Sequence, residues 1–262
     1  MKCKEITDVI EKSFPKGAAL SFDHVGLQAG RENKEVHTVY IALDATESVI
    51  NSAIEAEADM IVTHHPLIFS PLERVTDGDF IGRRVVKMIQ NDISYYAMHT
   101  NYDVLGMADL AAEFMGLQDA EVLWETVPSD GDHETQGIGR VGQLENSMTL
   151  RECCEFVKSR LKLDTVKVFG DMERKISRLA ISPGSGKDAV DPALEKGADV
   201  LVTGDIGHHS GIDAMEQGLA VIDAGHYGTE YIFIEDMERF FHENMPKIKV
   251  YTAPVSHPFQ VV

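Results

Sequence analysis

VYIALDATESVINSAIEAEADMIVT (residues 39–63) and LAISPGSGKDAVDPALEKGADVLVT (residues 179–203) align without a gap at a constant offset of 140 residues. Seven of the 25 positions are identical: Ile41/Ile181, Ala53/Ala193, Glu55/Glu195, Ala58/Ala198, Asp59/Asp199, Val62/Val202 and Thr63/Thr203. Chance would give about one or two. Each stretch reads as apolar strand, amphipathic helix, apolar strand, the alternation that builds a parallel sheet with helices on its faces. Any two such units that share an Ala-Asp turn look somewhat alike. The ungapped run nonetheless favours an internal duplication.

The pattern continues on both sides. Ile6, Val9, Ile10 and Phe14 recur at helical spacing until Pro15 and Gly17 end the run. Phe80, Ile81, Val85, Met88 and Ile89 mark a helix, and Ser94–Met98 a strand. In the second half a strand is expected at Arg140–Leu144, a helix at Leu150–Leu161 and a strand at Val166–Phe169. Further strands are expected at Val200–Thr203 and Ala220–Asp223, then a long helix at Tyr231–Met245 and a last strand at Lys249–Ala253. Residues 124–140 (WETVPSDGDHETQGIGR) concentrate Pro, Gly, Asp and Ser and read as a loop or domain junction. The expectation is two similar α/β domains, residues 1–125 and 126–262, with a site between them.

Composition narrows the function. The 262 residues carry 43 acids against 24 Lys and Arg, a net charge of −19, which repels phosphate backbones and argues against nucleic acid as a partner. No run approaches the length of a membrane span. The acids among the apolar positions of MKCKEITDVIEKSF make it an amphipathic helix and not a signal peptide, so a cytoplasmic protein is expected. Cys3, Cys153 and Cys154 form no CxxC pair, which leaves neither a zinc ribbon nor a redox dithiol. The scattered Met residues read as core filler.

Histidine carries the chemistry. After the first copy of the repeat comes His64-His65-Pro66, and the next strand runs into His99-Thr100-Asn101-Tyr102-Asp103. After the second copy, strand AVIDAG runs into His226-Tyr227-Gly228-Thr229-Glu230. Both halves thus end a strand in His-x-x-x-acid, a spacing that puts imidazole and carboxylate on one face of a helical turn. Strand ends of this kind are where open α/β sheets hold ligands. Imidazole and carboxylate without thiolate suit Zn²⁺, Mn²⁺, Fe²⁺ or Co²⁺. Two such ions side by side would supply a hydrolytic nucleophile at neutral pH.

THHP (63–66), HTNYD (99–103), TGD (203–205) and GHYGTE (225–230), with FDHVGL (22–27) and PGSG (183–186), together resemble the NIF three-like family from end to end. Its members are hexameric proteins with a dinuclear metal centre, known as GTP cyclohydrolase I type 2 homologues. The resemblance implies His64, His65, Asp103, His226 and Glu230 as metal ligands, with Glu230 bridging, and a homohexamer. It also implies a metal-dependent hydrolase acting on a nucleotide-like or cyclic amide substrate, with Glu230 and His99 as candidate catalytic residues. A non-enzymatic metal-insertion or regulatory ring scaffold is the alternative. The family's early motif usually reads Trp-Asp-Asn; here Phe22 and His24 replace the Trp and Asn.

Other positions stay open. His99 reads as a base or substrate contact, or as a hydrogen-bonded strand-end histidine. Asp23 reads as a turn cap or a pocket contact. His208 and His209 follow TGD at a helix start, and His209 is a candidate to face the pocket. Gly184-Ser185-Gly186 lacks Walker spacing and reads as a tight strand-to-helix turn. His37, His133, His242 and His257 read as surface residues.

Overall fold

The computed structural model describes residues 1–129, 131 and 134–261. Its first helices and strands are α1 (Cys3–Ser13), β1 (Gly26–Ala29), β2 (Thr38–Ala42), α2 (Glu47–Glu55), β3 (Met60–Thr63), α3 (Phe80–Gln90), β4 (Ser94–Ala97) and α4 (Thr100–Tyr102). A π-helical turn at Asp103–Met107 leads into α5 (Ala108–Met115), β5 (Gln118–Val127), β6 (Gln136–Thr149), α6 (Leu150–Arg160) and β7 (Lys167–Phe169). The chain continues through β8 (Lys175–Ser185), α7 (Val190–Glu195), β9 (Val200–Gly204), α8 (His208–Glu216) and β10 (Ala220–Asp223). It ends with α9 (His226–Glu230), α10 (Ile232–Asn244) and β11 (Lys249–Thr252).

Two compact units result. The first comprises residues 1–102 and 233–256, the second residues 103–232 and the segment from His257 onward. The expected 125/126 boundary does not describe this division. Its physical reason is a pairing the local pattern cannot show: β11, made last, lies parallel to β2.

Among the described residues the first unit's sheet has the order β1-β4-β3-β2-β11, parallel except for β1, which runs antiparallel to β4. The second unit's order is β5-β6-β8-β9-β10-β7, with β8, β9 and β10 parallel and β7 antiparallel to β10. Three consecutive parallel strands with an antiparallel neighbour beyond the third are therefore common to both. β3, β4, β9 and β10 are buried along their whole length, as strands covered on both faces must be. Ile50, Ala53, Ile61, Met88 and Tyr95 centre one core. Val141, Ala180, Ala193, Leu201 and Val221 centre the other.

The identity at Asp59/Asp199 has a shared structural use. Asp59 Oδ2 accepts from the backbone N–H of His37 (2.7 Å) and Thr38 (3.1 Å), and Asp199 Oδ2 from Ser177 (2.8 Å) and Arg178 (2.9 Å). In each unit the turn after the helix is thereby stitched to the start of the preceding strand, satisfying donors the ladder leaves over.

Residues 124–140 correct the expectation of a loop: most belong to β5 and β6, which pair antiparallel. Gly137 and Gly139 in β6 serve close pairing. A Cβ at Gly137 would lie 1.9 Å from the Trp124 carbonyl oxygen. His133 lies outside the described residues. Among the described residues no helix is long and apolar enough to cross a membrane.

Candidate metal centre

The strand ladders of the first unit line up three side chains. Ala42, Thr63 and Ala97 pair across β2, β3 and β4. The second residue beyond each is Asp44, His65 and His99, so these three leave the sheet side by side at the carboxyl ends of the strands. His65 Nδ1 meets Asp44 Oδ1 at 2.8 Å. His99 Nδ1 meets Asp23 Oδ2 at 2.9 Å, Asp23 arriving from the segment before the antiparallel β1. His64 is buried, its ring centroid 4.9 Å from that of His65 and 5.4 Å from that of His99. One nitrogen from each of the three lies within 4.8 Å of the others.

Behind the histidines, a buried phenol sets the turn. The Tyr95 hydroxyl donates to the His65 carbonyl (2.9 Å), accepts from Leu67 N (2.9 Å) and lies 2.7 Å from the Thr63 hydroxyl. Tyr95→Phe leaves a buried N–H without its acceptor, a cost of about 2 kcal/mol. Urea unfolding of the metal-free variant is expected to show that loss with an unchanged slope. An unaltered midpoint would rule out this role for the phenol.

Asp23 is fully enclosed and saturated. Its Oδ2 takes the Thr100 backbone N–H (3.0 Å) and hydroxyl (2.6 Å) besides His99, and Oδ1 takes His24 N (2.9 Å). Burial by itself would raise its pKa. The hydrogen bonds from His99 and Thr100 outweigh that and hold the carboxyl down at about 2.

In the second unit α9 carries the chemistry. His226 and Glu230 are four residues apart, and His226 Nε2 lies 3.1 Å from Glu230 Oε2, as the spacing predicts for one helical face. His226 Nδ1 meets Asp205 Oδ2 at 2.9 Å. Glu230 is buried, and a carboxylate oxygen of Asp103 lies within 4.8 Å of one of its own. Two glycines make this possible. At Gly184, held at φ +75°, a Cβ would sit 2.3 Å from Glu230 Oε1; at Gly204 it would sit 2.4 Å from the His226 backbone nitrogen. Gly184, near the end of β8, thus gives room to the Glu230 carboxylate.

The sequence profile of the Duf34/NIF3 (NGG1p interacting factor 3) family matches residues 1–258. The chain belongs to the DUF34/NIF3 family. It is 35% identical over 254 residues to a GTP cyclohydrolase 1 type 2 homolog of Clostridium acetobutylicum, covering 96% of this chain and 94% of the relative. A protein of the same description from Methanocaldococcus jannaschii is 34% identical over 94% of this chain and 96% of its own. Among solved structures, a Bacillus cereus protein related to NIF3 superposes with a TM-score of 0.91 at 28% identity, covering 100% and 99% of the two chains.

Within this DUF34/NIF3 chain the donor chemistry fits divalent cations. His65 and His226 each have a carboxylate hydrogen-bonded at Nδ1, the arrangement that fixes a ring's tautomer and leaves Nε2 to a ligand, and Asp23 Oδ2 lies 2.9 Å from His99 Nδ1. Both nitrogens of His226 face carboxylates, Asp205 at Nδ1 and Glu230 at Nε2. The mixed nitrogen and oxygen donors match borderline metals.

The two His-x-x-x-acid motifs are not equivalent in register. Thr63 pairs with Ala97 as Thr203 pairs with Asp223, and α4 and α9 each begin three residues after those positions. The counterpart of His226 is therefore Thr100, and His99 stands one residue earlier, held by Asp23. Sequence reading singled out every residue of the two clusters but missed Asp44 and Asp205 as partners. Their shared signal was a carboxylate two residues past the paired end of a parallel strand, which for Asp205 is the last residue of TGD. His24, His208 and His209 are exposed.

Proposed function

We propose that this protein binds two divalent metal ions per chain, through His64, His65, Asp103, His226 and Glu230, and hydrolyses a small nucleotide-like or cyclic amide substrate. The observation that supports it is the carboxylate–imidazole pair repeated at Asp44–His65 and Asp205–His226, which orients each ring through Nδ1 and turns Nε2 to a ligand. Divalent cations held there would supply a hydroxide-like nucleophile at neutral pH and polarise a substrate oxygen.

The chain's own residues supply the rest. Asp44 and Asp205 orient His65 and His226, while buried Glu230 brings negative charge to the cluster from which a bridging carboxylate would come. His99, held through Nδ1, keeps Nε2 for taking or giving a proton. To this reading the family resemblance adds a homohexamer, and the sequence composition a cytoplasmic location.

The test is metal analysis of protein purified without chelator, run beside light scattering and a panel of nucleotides, phosphoesters and cyclic amides. Two equivalents of metal, a hexameric mass and turnover of one class are expected. Absence of metal overturns the reading. Full metal with no turnover anywhere in the panel moves the protein to a metal-insertion or regulatory scaffold.

A further inference from the structure

The carboxylate at the end of β10 is buried and spans two turns. Asp223 is 7% exposed. Its Oδ1 accepts from the backbone N–H of Gly225 (3.1 Å). Its Oδ2 accepts from the backbone N–H of Ile206 (3.1 Å) and lies 2.7 Å from Lys167 Nζ, which also donates to the Ile206 carbonyl (2.9 Å). Ile206 directly follows Asp205, and Gly225 directly precedes His226. One side chain thus grips both turns of the Asp205–His226 pair, each through the residue next to it.

Both turns need holding. Asp205 stands at φ +53° and Gly225 at φ +77°. The first is left-handed backbone that a residue with a side chain rarely adopts, and it persists where surrounding contacts fix it. The fold itself does not ask for a carboxylate at this strand end. Thr63 pairs with Ala97 in the first unit as Thr203 pairs with Asp223 in the second, so the same register position there is an alanine. Burying a carboxylate is costly, and its presence in one unit alone points to the turns it holds.

We propose that Asp223 is a positioning residue of the metal centre: it sets the Asp205–His226 pair and, through it, the direction of His226 Nε2. The inference rests on the reading of His226 as a metal ligand and adds the group that aims its ring. Asp205 meets His226 Nδ1 itself at 2.9 Å, whereas Asp223 acts through the backbone of the two neighbours, with Lys167 supplying its counter-charge.

The test uses full-length Asp223→Ala and Asp223→Asn, stripped with chelator and reloaded with Co²⁺. Asn keeps the shape of the side chain but presents a donor where one of the two N–H groups needs an acceptor, so both variants release a turn. At a temperature where circular dichroism shows each variant folded, Co²⁺ affinity should fall about tenfold, the loss typical of partners behind a ligand. The d–d absorption spectrum should change with it. A residue that only stabilises the fold would lower the melting temperature and leave the affinity and spectrum of the folded protein as in the parent. In crystals of the metal-free variants, His226 Nδ1 and Asp205 should no longer lie within hydrogen-bond distance. Parent-like affinity and spectrum in both variants, or a pair that stays closed in the metal-free crystals, overturns the proposal. A parent protein that takes up no Co²⁺ overturns the metal-centre reading instead, and the metal-free crystals then decide on Asp223 alone.

Discussion

Glu230→Ala is expected to remove metal from the protein, weakening affinity by at least about 100-fold, beyond the loss typical of outer partners. Glu230 is buried at the end of α9, with His226 Nε2 at 3.1 Å and a carboxylate oxygen of Asp103 within 4.8 Å. A buried carboxylate costs desolvation and is kept only where a counter-charge meets it. Glu230→Gln retains the shape and removes the charge. Metal-free Glu230→Gln should therefore melt at or above the parent while holding no more metal than Glu230→Ala. That combination, stability without the ion, is the mark of a residue present for function. Elemental analysis after dialysis and calorimetry of stripped protein read the two halves. Full metal retention in both variants would remove Glu230 from the ligand set.

The largest effect on folding is expected from Gly204→Ala. The new methyl would lie 2.4 Å from the His226 nitrogen and 2.6 Å from the Gly225 carbonyl carbon, both backbone atoms that no rotamer change can move aside. Overpacking of this kind costs about 3 kcal/mol or more, which lowers the melting temperature by on the order of 10 °C in a chain of this size. Gly197→Ala is the control for a glycine where a Cβ has open space but φ is +66°. It should cost only about 1 kcal/mol. Equal melting temperatures for the two variants would show that α9 is not packed against the end of β9 as described.

Much of this was legible beforehand, for a physical reason. Buried parallel strands are continuous apolar runs, and the histidines that matter stand directly after such runs, so local pattern reached both. The carboxylate partners did not stand out. Asp44 and Asp205 are 21 residues from the rings they hold, and Asp23 is 76 from His99. Only the strand register brings them together. The β5–β6 pair was hidden because its outer face is exposed and polar and its glycines serve close approach. At position 24, where the resemblance expects Asn, the His24 side chain is exposed and its backbone N–H contacts Asp23.

The placement of β11 against β2 has a consequence for the order in which the protein can be made. Residues 103–232 form most of the second unit as one uninterrupted stretch, whereas the first unit is complete only when residues 233–256 exist. At typical synthesis rates the ribosome needs on the order of ten seconds to cross those intervening 130 residues. During that interval β2 presents an open edge on the side that β11 will cover. The unit that begins first thus waits for its edge strand until the bulk of the second has been made, and the imidazole cluster of His64, His65 and His99 sits in it.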